Sequence, residues 1–386
     1  MAQRPEISLS DIFREIASRG VIAVGPVARR FRVKPASLIG KLRPLLRNGV
    51  LMLRNGNAKL ALNPNLGHVI GIDLGASHLH FALADFGGEI HEDHIAKIRP
   101  EDGPQRVIEQ IQGVIHTLAA RHKEQGRLKA LAAAVPSAVD AEHGVVAWAN
   151  NLPGWTNIHL GRELERRFRV PVFLENDANM AAIGEHWRGV AQGVGNFVFV
   201  AIGTGIGSGV FIDGKLYRGR DGWAGELFRM NVEWPRWQED FADTGNLESY
   251  ASGMGIAAEG RKALGDLPTA QAAGLAQERD AFFVFEAFHK GNPRAQAALE
   301  KIFTILGVGI ANVVAILNPD LIVFGGGIAK GAPEFMLRTV EKVVRAIQKD
   351  ITPPMKLSAL EDKAQTFGAI RAALGVACER IAQRLE

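Results

Sequence analysis

The chain is poor in cysteine, since Cys378 is the only one among its 386 residues. A single thiol excludes a framework of intrachain disulfides and is typical of a reducing compartment. No run of about twenty apolar residues lacks a charge, which predicts that no segment spans a membrane. Charges at Arg4, Glu6, Asp11 and Arg14 interrupt the N-terminus, so it lacks the apolar core of a secretory signal. We therefore expect a cytoplasmic protein.

Charge is distributed unevenly along the chain. Hydrophobic residues make up 47% of it, enough for large buried cores in more than one domain. Residues 1–65 contain twelve Lys and Arg against three Asp and Glu, a net charge of +9, so the rest must carry −5 to give the chain's +4. A basic segment joined to an acidic remainder indicates a nucleic-acid-binding module attached to another domain.

The basic segment has the pattern of a helix-turn-helix. Apolar residues at helical spacing follow Ser8, a suitable N-cap, and Gly20 ends this first helix. A short helix is predicted over 27–31. After the break at Pro35, a longer amphipathic helix is predicted over 36–46.

A hairpin follows the predicted helices. Strands over 50–53 and 59–62 flank a loop that contains the turn pair Asn55-Gly56. This hairpin would be the wing of a winged helix, and the helix that begins near Pro35 would be its recognition helix. Exposed positions on these two elements are predicted to contact DNA: Ser37, Lys41, Arg43, Arg54 and Lys59. The alternative is a basic packing module with no DNA partner.

A carboxylate and a glycine-rich turn stand out in the middle of the chain. Asp177 precedes the turn Gly203-Thr204-Gly205-Ile206-Gly207-Ser208-Gly209, which joins two predicted strands. Because no helix follows the glycines, the dinucleotide fingerprint and the Walker loop are excluded. Glycines let backbone N–H groups approach an anion closely. Asp177 and the glycine-rich turn together therefore suit phosphoryl transfer to a sugar hydroxyl. The alternative is that the turn is only a tight hairpin.

Two further glycine motifs fit a nucleotide. Asp73 and Ser77 surround a turn at Gly75 that follows a predicted strand. The carboxylate would hold the water shell of Mg²⁺, and the hydroxyl would meet a phosphate oxygen. Farther on, a predicted buried strand after Pro319 ends in three glycines, 325–327, a flat surface against which an adenosine would lie.

These motifs resemble those of the ROK family, which comprises bacterial sugar kinases and sugar-responsive repressors. The resemblance runs from about Gly67 to the C-terminus and rests on segments 73–77, 175–179 and 222–226. It implies an α/β fold with an N-terminal winged helix-turn-helix, followed by a two-lobed actin-like ATPase domain. The implied division is a DNA-binding domain at 1–66, a first lobe at 67–178 completed by a C-terminal helix at 365–386, and a second lobe at 179–364.

The resemblance also implies roles for individual residues. If the chain is an active kinase, Asp177 aligns with the catalytic base, which takes the proton from the attacking sugar hydroxyl. Sugar hydroxyls donate and accept hydrogen bonds, so amides and carboxylates suit them. The implied sugar-binding residues are Asn151, Asn176, Asp177, Glu226, Arg229 and Glu248. The implied phosphate- and ATP-binding residues are Asp73, Gly75, Ser77, Gly203, Thr204, Gly205, Gly325 and Gly326.

The chain departs from the family at a structural zinc site. Typical members bind zinc through one His and three Cys, and the corresponding residues here are Arg229, Glu239, Phe241 and Asn246. Four such side chains cannot assemble a tetrahedral zinc, so we expect no structural metal. The planar cation of Arg229 suits carboxylate and phosphate oxygens. It indicates either an anionic effector, such as a sugar acid or a sugar phosphate, or an ion pair with Glu226, Glu239 or another acid.

Two functions follow from these features. The first is a repressor, expected as a homodimer or homotetramer, that binds an inverted-repeat operator and responds to a sugar or sugar acid. The second is an ATP-dependent sugar kinase that carries a DNA-binding head, since Asp73, Asp177 and the glycine turns are retained. Loss of the zinc favours the repressor, because catalysis by positioning tolerates little looseness. The repressor needs no cofactor, whereas the kinase would use ATP and Mg²⁺.

Overall fold

A computed structural model of the chain describes four stretches of residues: 8–149, 152–241, 244–265 and 280–386. Its contacts divide the chain into two compact units. The first is Met1–Asn176 together with Thr366–Glu386, and the second is Asp177–Gln365. A separate domain that ends at residue 66 stays a prediction.

The first unit begins with three helices and a small antiparallel sheet. In chain order these are α1 (Leu9–Arg19), β1 (Val21–Ala23), α2 (Val24–Arg30), α3 (Pro35–Arg47), β2 (Leu51–Arg54) and β3 (Lys59–Leu62). The sheet order is β1-β3-β2. The Ser8 side chain accepts the Asp11 N–H, and Gly20 ends α1 at a φ of 70°, as the sequence predicts. The sequence does not predict β1, because three residues show no alternation.

The helices of this region enclose a small core. Ile12, Phe13 and Ile16 of α1 are fully buried, as are Leu38 and Leu42 of α3. These are the apolar positions of the two amphipathic patterns, so the periodicity identifies the buried faces correctly.

A mixed sheet forms the centre of the first unit. Its elements are β4 (His68–Leu74), β5 (His78–Asp85), β6 (Ile90–Lys97), α4 (Gly103–Arg121), β7 (Leu128–Val135), β8 (Ala138–Asp140), β9 (Val145–Trp148), β10 (Thr156–Ile158), α5 (Leu160–Phe168) and β11 (Val172–Asn176). The large sheet has the order β11-β7-β4-β5-β6, and β8, β9 and β10 form a separate antiparallel sheet. Strands β4, β7 and β11 run parallel, whereas β4, β5 and β6 form an antiparallel meander.

The second unit is built on a sheet of the same kind. Its elements are α6 (Asp177–Arg188), β12 (Phe197–Ile202), β13 (Ile206–Ile212), β14 (Lys215–Tyr217), α7 (Asn246–Ala251), α8 (Gly253–Leu264), α9 (Asp280–His289), α10 (Pro293–Leu317), β15 (Leu321–Gly325), α11 (Pro333–Gln348) and β16 (Met355–Leu357). The sheet order is β14-β13-β12-β15-β16. Each large sheet thus joins a three-stranded meander to two further parallel strands, although the sequence shows no internal repeat.

Helix α10 is long and apolar. By length and composition alone it could cross a membrane, as the core helix of a soluble protein also could. The expectation that no segment spans a membrane stays a prediction. Leu299, Ile302, Phe303, Leu306 and Ile310 are at most 1% exposed within the second unit. Burial in this core accounts for the apolar composition of α10.

The chain returns to the first unit as α12 (Ala364–Ala382). This helix packs closely on β4 at Gly71. A Cβ atom added there would lie 2.8 Å from the Ile370 backbone nitrogen and 3.0 Å from the Ala369 Cβ. Glycine is therefore required where the two elements approach.

Candidate ligand site and basic surface

Asp177 lies where a strand passes directly into a helix. Asn176 ends β11, and Asp177 is the first residue of α6. The Asp177 Oδ1 accepts the N–H of Ala178 at 2.8 Å. In the first unit, the Asn176 side-chain amide donates to the Ser137 carbonyl at 3.2 Å. Both predicted sugar-binding side chains are thus held by hydrogen bonds to the backbone.

The predicted seven-residue glycine turn is shorter than expected. It comprises only 203–205, because β13 begins at Ile206. Gly207 and Gly209 are strand residues on which α6 packs. Added Cβ atoms there would lie 2.8 Å and 2.6 Å from the Cβ atoms of Ala178 and Ala182. These two glycines therefore allow close approach of the helix that begins with Asp177, and they do not form an anion-binding turn.

Glu248 of α7 contacts the end of this turn. Its Oε2 accepts the Ile206 N–H at 2.6 Å. A Cβ atom added at Gly205 would lie 2.5 Å from the same oxygen. The Ile206 N–H is therefore already bound by a carboxyl group, and an incoming anion would have to use other donors of the turn.

The carboxyl groups of the second unit influence one another. Burial raises the pKa of Glu248 to about 7, and the charge of Glu226 adds to the effect. Burial also raises the pKa of Glu226, where Arg229 opposes the shift and Asp177 adds to it. Near neutral pH, both the protonated and the charged form of Glu248 are thus accessible, so its carboxyl group can donate as well as accept hydrogen bonds.

Arg229 is exposed and lies against aromatic rings. Its guanidinium carbon is 5.0 Å from the ring centroid of Phe228 and 5.7 Å from that of Trp223. Glu239, one of its predicted acid partners, is bound by Arg236 instead. Glu226 and Arg229 interact through their charges. In the part of the chain that the structure describes, Arg229 makes no ion pair.

The other three positions that correspond to zinc ligands, Glu239, Phe241 and Asn246, contact protein groups. Glu239 binds Arg236, and Phe241 lies beneath the same guanidinium. The Asn246 Oδ1 accepts the Val232 N–H at 2.9 Å. Among the described residues, no group of three or more His, Cys, Asp or Glu side chains is arranged to hold a metal ion.

The predicted nucleotide motifs lie at strand ends. In the first unit, Asp73 is 9% exposed near the end of β4, and the Gly75 N–H donates to the His78 carbonyl. In the second unit, Gly325 ends β15. Gly326 has a φ of 89°, and a Cβ atom there would lie 2.3 Å from the Ile202 carbonyl oxygen. Only glycine fits this position.

Three predicted ligand-binding residues remain: Ser77, Thr204 and Asn151. Ser77 is exposed, and Thr204 is part of the short turn between β12 and β13. Asn151 lies outside the described residues.

The residues predicted to contact DNA are all exposed to solvent. All are exposed on α3 or on the hairpin of β2 and β3: Ser37, Lys41, Arg43, Arg54 and Lys59. Within the described residues, none of the four cations in this set makes an ion pair. By contrast, Arg14, Arg19 and Arg30 of α1 and α2 are bound to carboxylates. Exposed cations that make no ion pair with a described residue therefore lie on α3 and the hairpin, and Arg29 on α2 is another.

Sequence reasoning misses the residues around Arg236. Glu233 and Tyr250 contact this arginine, and neither stands in a recognisable motif. The described residues between 218 and 241 form only short 3-10 helices, so no periodicity indicates which side chains meet.

Comparisons with known proteins agree with the sequence motifs. Residues 69–375 match the ROK family. The putative xylose repressor of Caldicellulosiruptor sp. (strain Rt8B.4) is 28% identical over 93% of this chain and 93% of its own length. The glucokinase of Thermotoga maritima is 32% identical over 78% of this chain and 95% of its own length.

Two solved structures show the same fold. A ROK family transcriptional regulator, a homologue of the E. coli MLC protein, has a TM-score of 0.79 and 24% identity, with 97% of each chain covered. The ROK hexokinase from Thermus thermophilus has a TM-score of 0.66 and 30% identity, with 79% of this chain and 98% of its own covered.

Proposed function

The chain belongs to the ROK family, and we propose that it is a transcriptional repressor that responds to a sugar. A winged helix-turn-helix at residues 1–66 binds operator DNA, and the ROK domain binds a sugar or sugar derivative as effector. The extent of the similarity carries this proposal. The putative xylose repressor and the transcriptional regulator match 93% and 97% of this chain, whereas the glucokinase and the hexokinase match 78% and 79%. A match over 97% must include most of the basic N-terminal segment.

The unpaired cations of α3 and the hairpin support DNA binding. Cations that make no ion pair are available to DNA phosphates, and α3 has the place of a recognition helix after the short α2. The protein acts in the cytoplasm as a homodimer or homotetramer on an inverted repeat, because palindromic half-sites match the symmetry of the oligomer. This function requires no cofactor.

The carboxyl groups of the second unit support binding of a sugar. Asp177, Glu226 and Glu248 supply acceptors, and a partly protonated Glu248 also supplies a donor. The effector shifts the equilibrium between two conformations of the repressor only by its differential affinity for them.

Fluorescence anisotropy with a fragment from upstream of the protein's own gene tests the proposal. We expect tight binding to an inverted repeat, weakened by rising salt, and a change in affinity when the correct sugar or sugar acid is added. D-xylose, D-glucose and their acids are the first probes. Operator binding that no carbohydrate alters would contradict a sugar-responsive function.

The second candidate function is an ATP-dependent sugar kinase. Asp177 begins α6, which packs on β13 immediately after the glycine turn, and the T. maritima glucokinase is 32% identical. In this case Asp177 would accept the proton of the sugar hydroxyl. Asp73 and the glycine turns would be the residues to hold the nucleotide and its Mg²⁺, and the metal would supply charge neutralisation at the phosphates. Turnover in an ADP-release assay of about 1–100 per second, abolished by Asp177→Asn, would support it.

A further inference from the structure

Arg236 is held by four side chains of the second unit. Its Nε and Nη2 donate to the two carboxylate oxygens of Glu239 at 2.8 Å and 2.6 Å. Its Nη1 donates to the Tyr250 hydroxyl and, at 3.4 Å, to Glu233. The guanidinium carbon lies 4.8 Å from the ring centroid of Phe241. These five residues are called the Arg236 cluster.

The cluster is closed by a further bond. Tyr250 donates to the Glu233 Oε2 at 2.6 Å, so one tyrosine, one arginine and one carboxylate contact one another. The Arg236 side chain is only 33% exposed. Its guanidinium holds the pKa of Glu239 below the ordinary value. A bidentate arginine–carboxylate pair of this kind fixes the orientation of the guanidinium as well as its distance from the carboxylate, and a lysine cannot reproduce it.

The Arg236 cluster joins α7 to the segment that precedes it. Tyr250 lies in α7, two residues after Glu248, whereas Glu233, Arg236 and Glu239 lie before the helix. The start of α7 is bound to the same segment, because the Leu247 N–H donates to the Met230 carbonyl at 3.1 Å. Helix α7 has only six residues, so contacts outside the helix must determine where it lies.

We propose that Arg236 is a positioning residue for Glu248: through Tyr250, the Arg236 cluster holds α7 so that the Glu248 carboxyl group stays against the Ile206 N–H. Two of the positions that correspond to zinc ligands in the family, Glu239 and Phe241, belong to the cluster. The proposal rests on the proposed function only where it assigns Glu248 to the sugar.

The experiment follows the titration of Glu248 in the full chain. With ¹³C-labelled glutamate, NMR spectra record carboxyl shifts against pH, and Glu248→Gln identifies the resonance. The variants are Arg236→Ala, Arg236→Lys and Tyr250→Phe. Arg220→Ala is the control, because Arg220 forms an exposed pair with Asp221 outside the Arg236 cluster. Amide hydrogen exchange of α7 and α10 is measured on the same proteins.

Loosening α7 should admit water to Glu248. We expect the apparent pKa of Glu248 to fall from about 7 toward its ordinary value of 4.5 in Arg236→Ala and in Tyr250→Phe. Amides of α7 should exchange at least tenfold faster, with α10 unchanged. In Arg236→Lys, the Glu248 pKa and the α7 exchange rates should lie between those of Arg236→Ala and those of the unmodified protein. Arg220→Ala should match the unmodified protein in both measurements.

Two results would overturn the proposal. One is a Glu248 titration curve in Tyr250→Phe that equals the curve of the unmodified protein. Because this variant removes only one hydroxyl, we expect it to fold, so its titration curve is a valid test. The other is full recovery by Arg236→Lys, which would mean that charge alone suffices. Binding of D-xylose and D-glucose is measured separately. If the Glu248 titration responds but no sugar binds to any variant, the positioning role stands and the assignment to a sugar fails.

Discussion

Arg14 of α1 donates two hydrogen bonds to Glu379 of α12, from Nε at 3.0 Å and from Nη2 at 2.8 Å. Near its start, α12 packs on β4 at Gly71, two residues before Asp73. One helix therefore contacts both the first helix of the basic segment and the strand that carries a predicted nucleotide residue. We expect a displacement at β4 to be transmitted to α1 through α12.

Breaking the Arg14–Glu379 pair should weaken the effect of the effector on operator binding more than it lowers the stability of the fold. Both side chains are more than a third exposed, so we expect little change in the thermal unfolding midpoint for Arg14→Ala or Glu379→Gln. The effector-induced change in operator affinity should fall by at least half. Anisotropy with and without the effector measures it, and Arg345→Ala, which breaks an exposed pair in the second unit, is the control. The swap Arg14→Glu with Glu379→Arg should restore the response, and an undiminished response in both single variants would disprove the link.

Removing Lys41 and Arg43 should weaken binding to every DNA duplex. Each phosphate contact that is lost should make the slope of log affinity against log salt shallower by about 0.9. Anisotropy between low and moderate salt measures the slope. Arg30→Ala is the matched control, because Arg30 of α2 already forms an ion pair with Glu15. An unchanged slope in the double variant would exclude α3 from the DNA interface.

Adding a methyl group at Gly209 should destabilise the second unit. The new Cβ would lie 2.6 Å from the Ala182 Cβ and 3.0 Å from the Ala178 carbonyl oxygen, so α6 must move. We expect Gly209→Ala to lower the free energy of unfolding by about 1–3 kcal/mol, as overpacking does elsewhere. Gly203→Ala is the control, since nothing lies within 4 Å of its added Cβ. Chemical denaturation compares the two, and equal stability would show that α6 and β13 are not closely packed.

The first unit should lose stability as the solution becomes acidic. His68 is 1% exposed, and burial lowers its pKa from 6.5 to about 4. The unfolded chain therefore binds this proton more readily, so the contribution of His68 is present above pH 6.5 and is lost as the pH falls toward 4. The loss should reach about 3 kcal/mol.

Urea denaturation at several pH values measures this effect. In His68→Gln the dependence between pH 6.5 and 4 should flatten. The exposed His116→Gln is the control and should keep the slope of the unmodified protein. Equal slopes in both variants would mean that other groups cause the acid sensitivity.

Sequence patterns predict well those features that depend on neighbours in the chain. The N-cap at Ser8, the end of α1 at Gly20 and the start of α3 at Pro35 all follow from local hydrogen bonding and backbone preference. The glycine turn is predicted less well. Glycine serves both turns and close packing, and only the contact with α6 reveals that Gly207 and Gly209 serve packing.

By itself, the sequence determined the ROK motifs, the basic character of residues 1–65 and the alternation of strands and helices, because residue type and local spacing carry that information. Only the tertiary structure decided that Arg14 meets Glu379, 365 residues away, and that Glu248 meets the Ile206 N–H. Hydrogen bonds and the desolvation of a carboxyl group depend on distance through space. Residues far apart in the chain reach that distance only after the core has packed.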